Sequence, residues 1–243
     1  MRESKARMVN GQSAGIDPDQ YPQNGQGHCP LLWTRPAGQA WATLILAHGA
    51  GAAMDSPFLQ RMAELLAAQG LALVRFEFPY MAQRRSGAAR RPPDRQPLLL
   101  DCWRQMHALL RPQVAGPLVI AGKSMGGRMA SLLADELGAD ALVCLGYPFH
   151  PPGKPQQLRT AHLAGLRTPA LIVQGERDPF GGREEVSGYD LSPCIQLHWL
   201  AAADHDFVPL KRSGLTQEEH LQDAAVAIAS WLRQTLVVRG AGR

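Results

Sequence analysis

Along this chain, unbroken apolar runs alternate with segments whose apolar residues recur every three to four positions. WATLILAHG (41–49), LALVRFEFPY (71–80), PLVIAGKS (117–124) and ALVCLGYPF (141–149) are runs of the first kind. They predict strands covered on both faces, as in a parallel sheet. Two more strands are predicted within PALIVQGERDPFG (169–181) and IQLHWLAAADHDF (195–207). Between the strands lie helical patterns at 56–70, 97–111 and 126–138, and a closing amphipathic helix is predicted at 216–237. Ser56, Pro57 and Gly70 supply the start and stop signals of the first helix, while Glu218 and Glu219 suit the first turn of the last. Alternating strands and helices predict an α/β fold: a mostly parallel sheet of about six to seven strands with helices on both faces. All strand C-termini then share one edge, where ligands bind in such sheets.

Residues 1–27 show no apolar period and read as a flexible N-terminal tail, 28–238 as one domain, and 239–243 as a short C-terminal tail. A chain of 243 residues, 45% hydrophobic, can bury a large core, which excludes a disordered or coiled-coil protein. No apolar run reaches the ~18 residues that span a bilayer, and MRESKARMVNGQSAG lacks the apolar stretch of a secretory signal. Cys29, Cys102, Cys144 and Cys194 are scattered, with no C-x-x-C pair. A cytoplasmic protein with reduced thiols, no disulfide framework and no zinc site is expected.

The net charge of +4 has a local origin, because RRSGAARRPPDR (84–95) carries five arginines against one aspartate. A nucleic-acid partner is not expected, since such proteins spread basic residues over a face. The segment follows a predicted strand, so Arg84 and Arg85 are candidates for contact with substrate at the sheet edge, and the segment as a whole for contact with an acidic ligand or a protein partner.

Gly122-Lys123-Ser124-Met125-Gly126 is G-x-S-x-G placed between a predicted strand and a predicted helix. That context fits a nucleophile elbow, a turn so tight that glycines must stand two residues either side of the serine. The alternative, a phosphate-binding loop ending in Gly-Lys-Ser, fails because Pro117 stands where its first glycine is required. A dinucleotide loop at Gly49-Ala50-Gly51 fails in the same way, with Met54 at the third glycine position. A nucleophilic serine needs a base and an orienting acid. Asp178 follows one predicted strand and His205 the next, so both fall at the edge that holds Ser124. Asp204-His205-Asp206 lacks further ligands on another element, so no metal is expected, and no other cofactor. The backbone N–H of Met125 and that of Ala50, with Gly51 next, are the expected donors to a developing oxyanion.

LAHGAGAAMDSPF, RFEFPYM, RRPPDR, AGKSMGGRMAS, QGERDPFG and ADHDF together resemble the alpha/beta-hydrolase superfamily. More narrowly, they resemble a dienelactone-hydrolase-like branch that includes testis-expressed and NSL-complex-subunit hydrolase-like proteins. The resemblance implies an alpha/beta-hydrolase fold with Ser124 as nucleophile, Asp178 as acid and His205 as base. It also implies a serine hydrolase acting on an ester or thioester substrate. Only about twenty residues separate the strand ending near Phe149 from the strand starting near Pro169, too few for a cap domain. The competing expectation is a catalytically idle, hydrolase-like interaction module that uses the Arg84–Arg95 segment.

Overall fold

The uninterrupted Leu, Ile, Val and Ala runs form strands with no exposed position, which is what a central parallel sheet demands of its sequence. The computed structural model describes residues 31–240. The expected tail at 1–27, with His28 and Cys29, lies outside them, as do residues 241–243. The strands are β1 (Leu32–Thr34), β2 (Ala42–Ala47), β3 (Leu71–Phe76), β4 (Leu118–Lys123), β5 (Ala141–Leu145), β6 (Ala170–Gly175) and β7 (Ile195–Leu200). The helices are α1 (Pro57–Ala68), α2 (Pro79–Arg85), α3 (Gln96–Leu110), α4 (Met125–Leu133), α5 (Arg183–Val186) and α6 (Gln217–Gly240).

One seven-stranded sheet results, in the order β1-β3-β2-β4-β5-β6-β7. β1 runs antiparallel to β3, and the other neighbouring pairs are parallel. Strands β2 to β6 are buried at every position. One face packs Trp103, Met106 and Leu110 of α3 and Met129 and Leu133 of α4. The other packs Leu59, Met62 and Leu66 of α1 and Leu221, Ile228 and Leu232 of α6. This is the expected sheet, covered on both faces. Among the described residues no helix is long and apolar enough to cross a membrane. Residues 146–169 hold turns and no helix or strand, so the C-terminal edge of the sheet has no cap there.

Several elements differ from expectation, among them the strand expected at 141–149, which stops at Leu145, and α5, which was not expected. β1 has only three residues, too few to show any period. The strand expected at 71–80 stops at Phe76, because Pro79 has no N–H for a ladder and instead opens α2 at its first turn. Arg84 and Arg85 therefore end a helix. The helix expected at 126–138 begins at Met125 and gives way after Leu133 to turns that close at Gly138, whose φ is +58°.

Candidate active site

The turn from β4 into α4 is as tight as its glycines imply. A Cβ on Gly122 would lie 2.3 Å from the Gly126 carbon, and one on Gly126 would lie 2.5 Å from the His48 carbonyl oxygen. Only glycine lets strand, helix and the neighbouring β2 end approach this closely. Ser124 sits at the apex with φ 51° and ψ −117°. That region costs a residue with a side chain about 1–3 kcal/mol and persists only where the surroundings dictate it. Its N–H donates to the Leu145 carbonyl at 2.9 Å, and its own carbonyl accepts from Arg128 N–H at 3.0 Å.

His205 reaches Ser124 from the loop after β7. Asp204 shapes that loop: its Oδ1 accepts the N–H of Asp206 at 2.9 Å and of Val208 at 3.0 Å. The Ser124 hydroxyl lies 2.9 Å from His205 Nε2, and His205 Nδ1 lies 2.7 Å from Asp178 Oδ2. A carboxylate only accepts, so Nδ1 carries the proton, and Nε2 is left to accept from the hydroxyl. Asp178 is 2% exposed. Its Oδ1 accepts Phe180 N–H and its Oδ2 also accepts Gln174 Nε2, both at 2.9 Å. Gln174, fully buried in β6, is held in turn by Tyr147, whose N–H donates to its Oε1 at 2.7 Å. The Phe180 ring lies over His205 with centroids 4.3 Å apart. The three residues expected from sequence are thus in hydrogen-bonded series. Such a series can remove a proton from the serine hydroxyl and return it to a leaving group.

The loop after β2 forms the facing wall. His48 Nδ1 donates to the Gly49 carbonyl at 2.6 Å, and its Nε2 accepts Phe78 N–H at 3.0 Å, so the ring is neutral. Burial holds its pKa below the ordinary 6.5, which keeps that acceptor available. The Tyr80 hydroxyl points at the Gly49 and Ala50 carbonyls, at 3.2 and 3.0 Å. With these carbonyls tied back, Ala50 and Gly51 line a cleft of about 370 Å³ together with Phe58, Leu59, Lys123, Ser124, Phe180 and His205. Met125 opens α4, where a backbone N–H has no intrahelical acceptor. Among the described residues no group of three or more His, Cys, Asp or Glu is placed to hold a metal ion.

Arg84 and Arg85 do not line this cleft. Arg85 instead forms a fork on the buried Glu77 carboxylate, at 3.0 and 2.7 Å, and reaches Asp55 at 2.9 Å. Glu77 also accepts Met54 N–H at 3.4 Å. The arginine expected at the substrate edge therefore braces the segment that continues the 48–51 loop. Its positive charge is matched by acids that lie outside the 84–95 segment. Arg84 is exposed. Arg91 pairs with Asp94 at 2.7 Å, and Asp94 Oδ2 accepts Tyr80 N–H at 2.9 Å. Replacing Arg85 with Gln is expected to lower the thermal midpoint, since it removes the two-pronged charge-assisted bond to the Glu77 carboxylate and the pair with Asp55. Arg84→Gln should leave the thermal midpoint within error, and melting curves of the two variants make the comparison.

Of the five other described histidines, His107 stands on α3 and four bond elsewhere. His198 meets Asp223 at 2.9 Å, His220 the Phe207 carbonyl at 3.0 Å, His162 the Ser131 hydroxyl at 2.8 Å and His150 the Glu185 carboxylate at 3.2 Å. Gln174, Tyr80, Phe180 and Lys123 were not singled out by sequence reasoning, because nothing local marks a residue that acts through a partner far along the chain.

The sequence profile of the alpha/beta hydrolase domain matches residues 40–233. In fold, the chain is similar to an α/β serine hydrolase without lid from Xanthomonas campestris, at 20% identity and a TM-score of 0.69 over 95% of this chain and 98% of that one. It is also similar to a dienelactone hydrolase from Anabaena variabilis, at 22% identity and a TM-score of 0.67 over 87% of this chain and 94% of that one. A serine hydrolase homologue from Coxiella burnetii is similar at 21% identity and a TM-score of 0.64, over 92% of this chain and 99% of that one. These structural likenesses concern the fold. The profile match runs from the approach to β2 into the last turns of α6, across the elbow and both loops that meet it, and on that ground the chain belongs to the alpha/beta hydrolase family.

Proposed function

We propose that this protein is a serine hydrolase that cleaves an ester or thioester through an acyl-enzyme on Ser124. The observation that carries this reading is the series Ser124–His205–Asp178, with gaps of 2.9 and 2.7 Å and the acid buried. His205 Nε2 takes the hydroxyl proton as Oγ attacks the carbonyl carbon. The oxygen of that carbonyl gains the charge, which the N–H groups of Met125 and of Ala50 or Gly51 stabilise. As the intermediate collapses, the bond to the leaving oxygen or sulfur breaks and His205 hands over its proton. Water, deprotonated by His205, then attacks the acyl-enzyme, and the acid leaves with Ser124 restored. Asp178 keeps Nδ1 protonated throughout and stabilises the imidazolium that forms.

A cleft of about 370 Å³ walled by Ala52, Phe58, Leu59 and Phe180 favours a short or compact acyl group over a long lipid chain. The interaction-module reading draws on a free basic segment. Arg85 and Arg91 are instead turned onto Glu77, Asp55 and Asp94 of the same chain. The test is reaction with a fluorophosphonate probe and with p-nitrophenyl esters of increasing chain length. Labelling at one serine, with turnover falling beyond short chains, is expected. A folded protein that neither labels nor turns over any ester overturns the reading. Preference for long-chain esters overturns the substrate assignment.

A further inference from the structure

Lys123 ends β4, one residue before the apex of the elbow, and its side chain is only 9% exposed. Burial lowers its pKa from the ordinary lysine value, while Asp206, Asp178 and Asp204 oppose that shift. An ammonium in this position costs desolvation that an apolar side chain of the same length would avoid. Its donors are directed at one segment. Nζ donates to the His205 carbonyl at 2.9 Å and pairs with the exposed Asp206 carboxylate at 3.2 Å, and it lies 5.3 Å from the centre of the Phe58 ring.

The sheet order explains what that contact does. β5 and β6 separate β4 from β7, so the loop after β7 must cross about 14 Å of sheet to bring His205 to Ser124. Its near end is anchored beside β6, where Ala202 N–H donates to Glu176 and Arg177 N–H donates to the Ala203 carbonyl, both at 2.9 Å. Farther on, the Gln217 side chain of α6 donates to the Asp206 carbonyl at 2.7 Å. On the β4 side the loop is met by Ser124, through the reacting hydrogen bond, and by Lys123. Of these two, Lys123 holds backbone. Fixing the 205 carbonyl fixes the peptide plane from which the imidazole projects.

We infer that Lys123 is a positioning residue: it fixes the His205 peptide across the sheet so that Nε2 stays within hydrogen-bond distance of the Ser124 hydroxyl. The inference rests on the serine-hydrolase reading for its kinetic consequence, and on geometry alone for its structural one. Misplacement of a reacting group by about 1 Å costs on the order of 10² in rate.

The variant Lys123→Met keeps the length of the side chain and removes its charge. It is expected to slow fluorophosphonate labelling and kcat by about 10- to 100-fold, with KM little changed and the thermal midpoint unchanged or raised. In proton NMR, the His205 Nδ1 proton, held on Asp178, should exchange faster with water than in the parent. A role in packing alone predicts the opposite pattern, a lowered midpoint with any loss of rate following it. That pattern, or unchanged rates with an unchanged Nδ1 proton, overturns the inference. A parent protein that neither labels nor turns over ester overturns the hydrolase reading instead. The exchange of the Nδ1 proton then decides the role of Lys123 by itself, faster exchange supporting it and unchanged exchange overturning it.

Discussion

Ser124→Ala is expected to abolish fluorophosphonate labelling and to lower kcat for a p-nitrophenyl ester by roughly 10⁶, with the fold intact. The loss is large because no other hydroxyl is in hydrogen-bond contact with His205 Nε2 among the described residues. The fold persists because alanine fits the same space and the elbow is set by the glycines around it. His205 loses one bond and keeps the other, to Asp178 at 2.7 Å. A companion variant isolates the backbone strain. Ser124→Gly is equally inactive, yet glycine adopts φ 51° without the cost a side chain pays there. Its thermal midpoint should therefore exceed that of Ser124→Ala, by the equivalent of about 1 kcal/mol or more. Labelling and turnover by the alanine variant would show that another residue is the nucleophile. A glycine variant no more stable than the alanine one would show that the elbow holds no strain at this residue.

The sheet and the elbow were legible in the sequence because both depend on local chemistry. A run such as TLILA has no polar position to place in water, and G-x-S-x-G between a strand and a helix satisfies a steric demand that few turns share. The meeting of Asp178 and His205 with Ser124 was legible because each directly follows a strand, and all parallel strands end at one edge. What was missed depends on partners distant in sequence. β1 exists because Leu32–Thr34 finds the free edge of β3, not because three residues prefer to be extended. Gln174 reads as one polar residue near the end of a strand, and its purpose emerges only when Asp178, Tyr147 and Gly181 surround it. The basic segment misled because the acids that Arg85 meets lie outside it. Counting charge along residues 84–95 found the arginines, while the carboxylates that Arg85 engages stand at 55 and 77. Glu77 in particular carries no sign in the sequence that it is buried.

Asp178→Asn is expected to lower kcat by about 10⁴, whereas Asp204→Asn and Asp206→Asn should each cost less than about tenfold. The reason lies in which hydrogen bonds an amide can replace. Asp178 receives three donors, Phe180 N–H on Oδ1 and both His205 Nδ1–H and Gln174 Nε2–H on Oδ2. Gln174 cannot turn its amide to help, because its Oε1 accepts Tyr147 N–H at 2.7 Å. An asparagine oxygen can satisfy Phe180 only by pointing its NH₂ at His205 and Gln174. His205 then answers by moving its proton to Nε2, the nitrogen that must accept from Ser124, so the base is present in the wrong tautomer. Asp204 serves the loop through Oδ1 alone, accepting two backbone N–H groups at 2.9 and 3.0 Å, and an asparagine oxygen does the same. The Asp206 side chain is 70% exposed and meets Lys123 at 3.2 Å; without its charge Lys123 still holds the His205 carbonyl. The check is kcat for the three purified variants on one ester, with the low-field Nδ1 proton of His205 observed in each. That proton should vanish in Asp178→Asn and persist in the other two. If Asp204→Asn or Asp206→Asn proved the more damaging, the acid would have to be reassigned to the loop that carries the histidine.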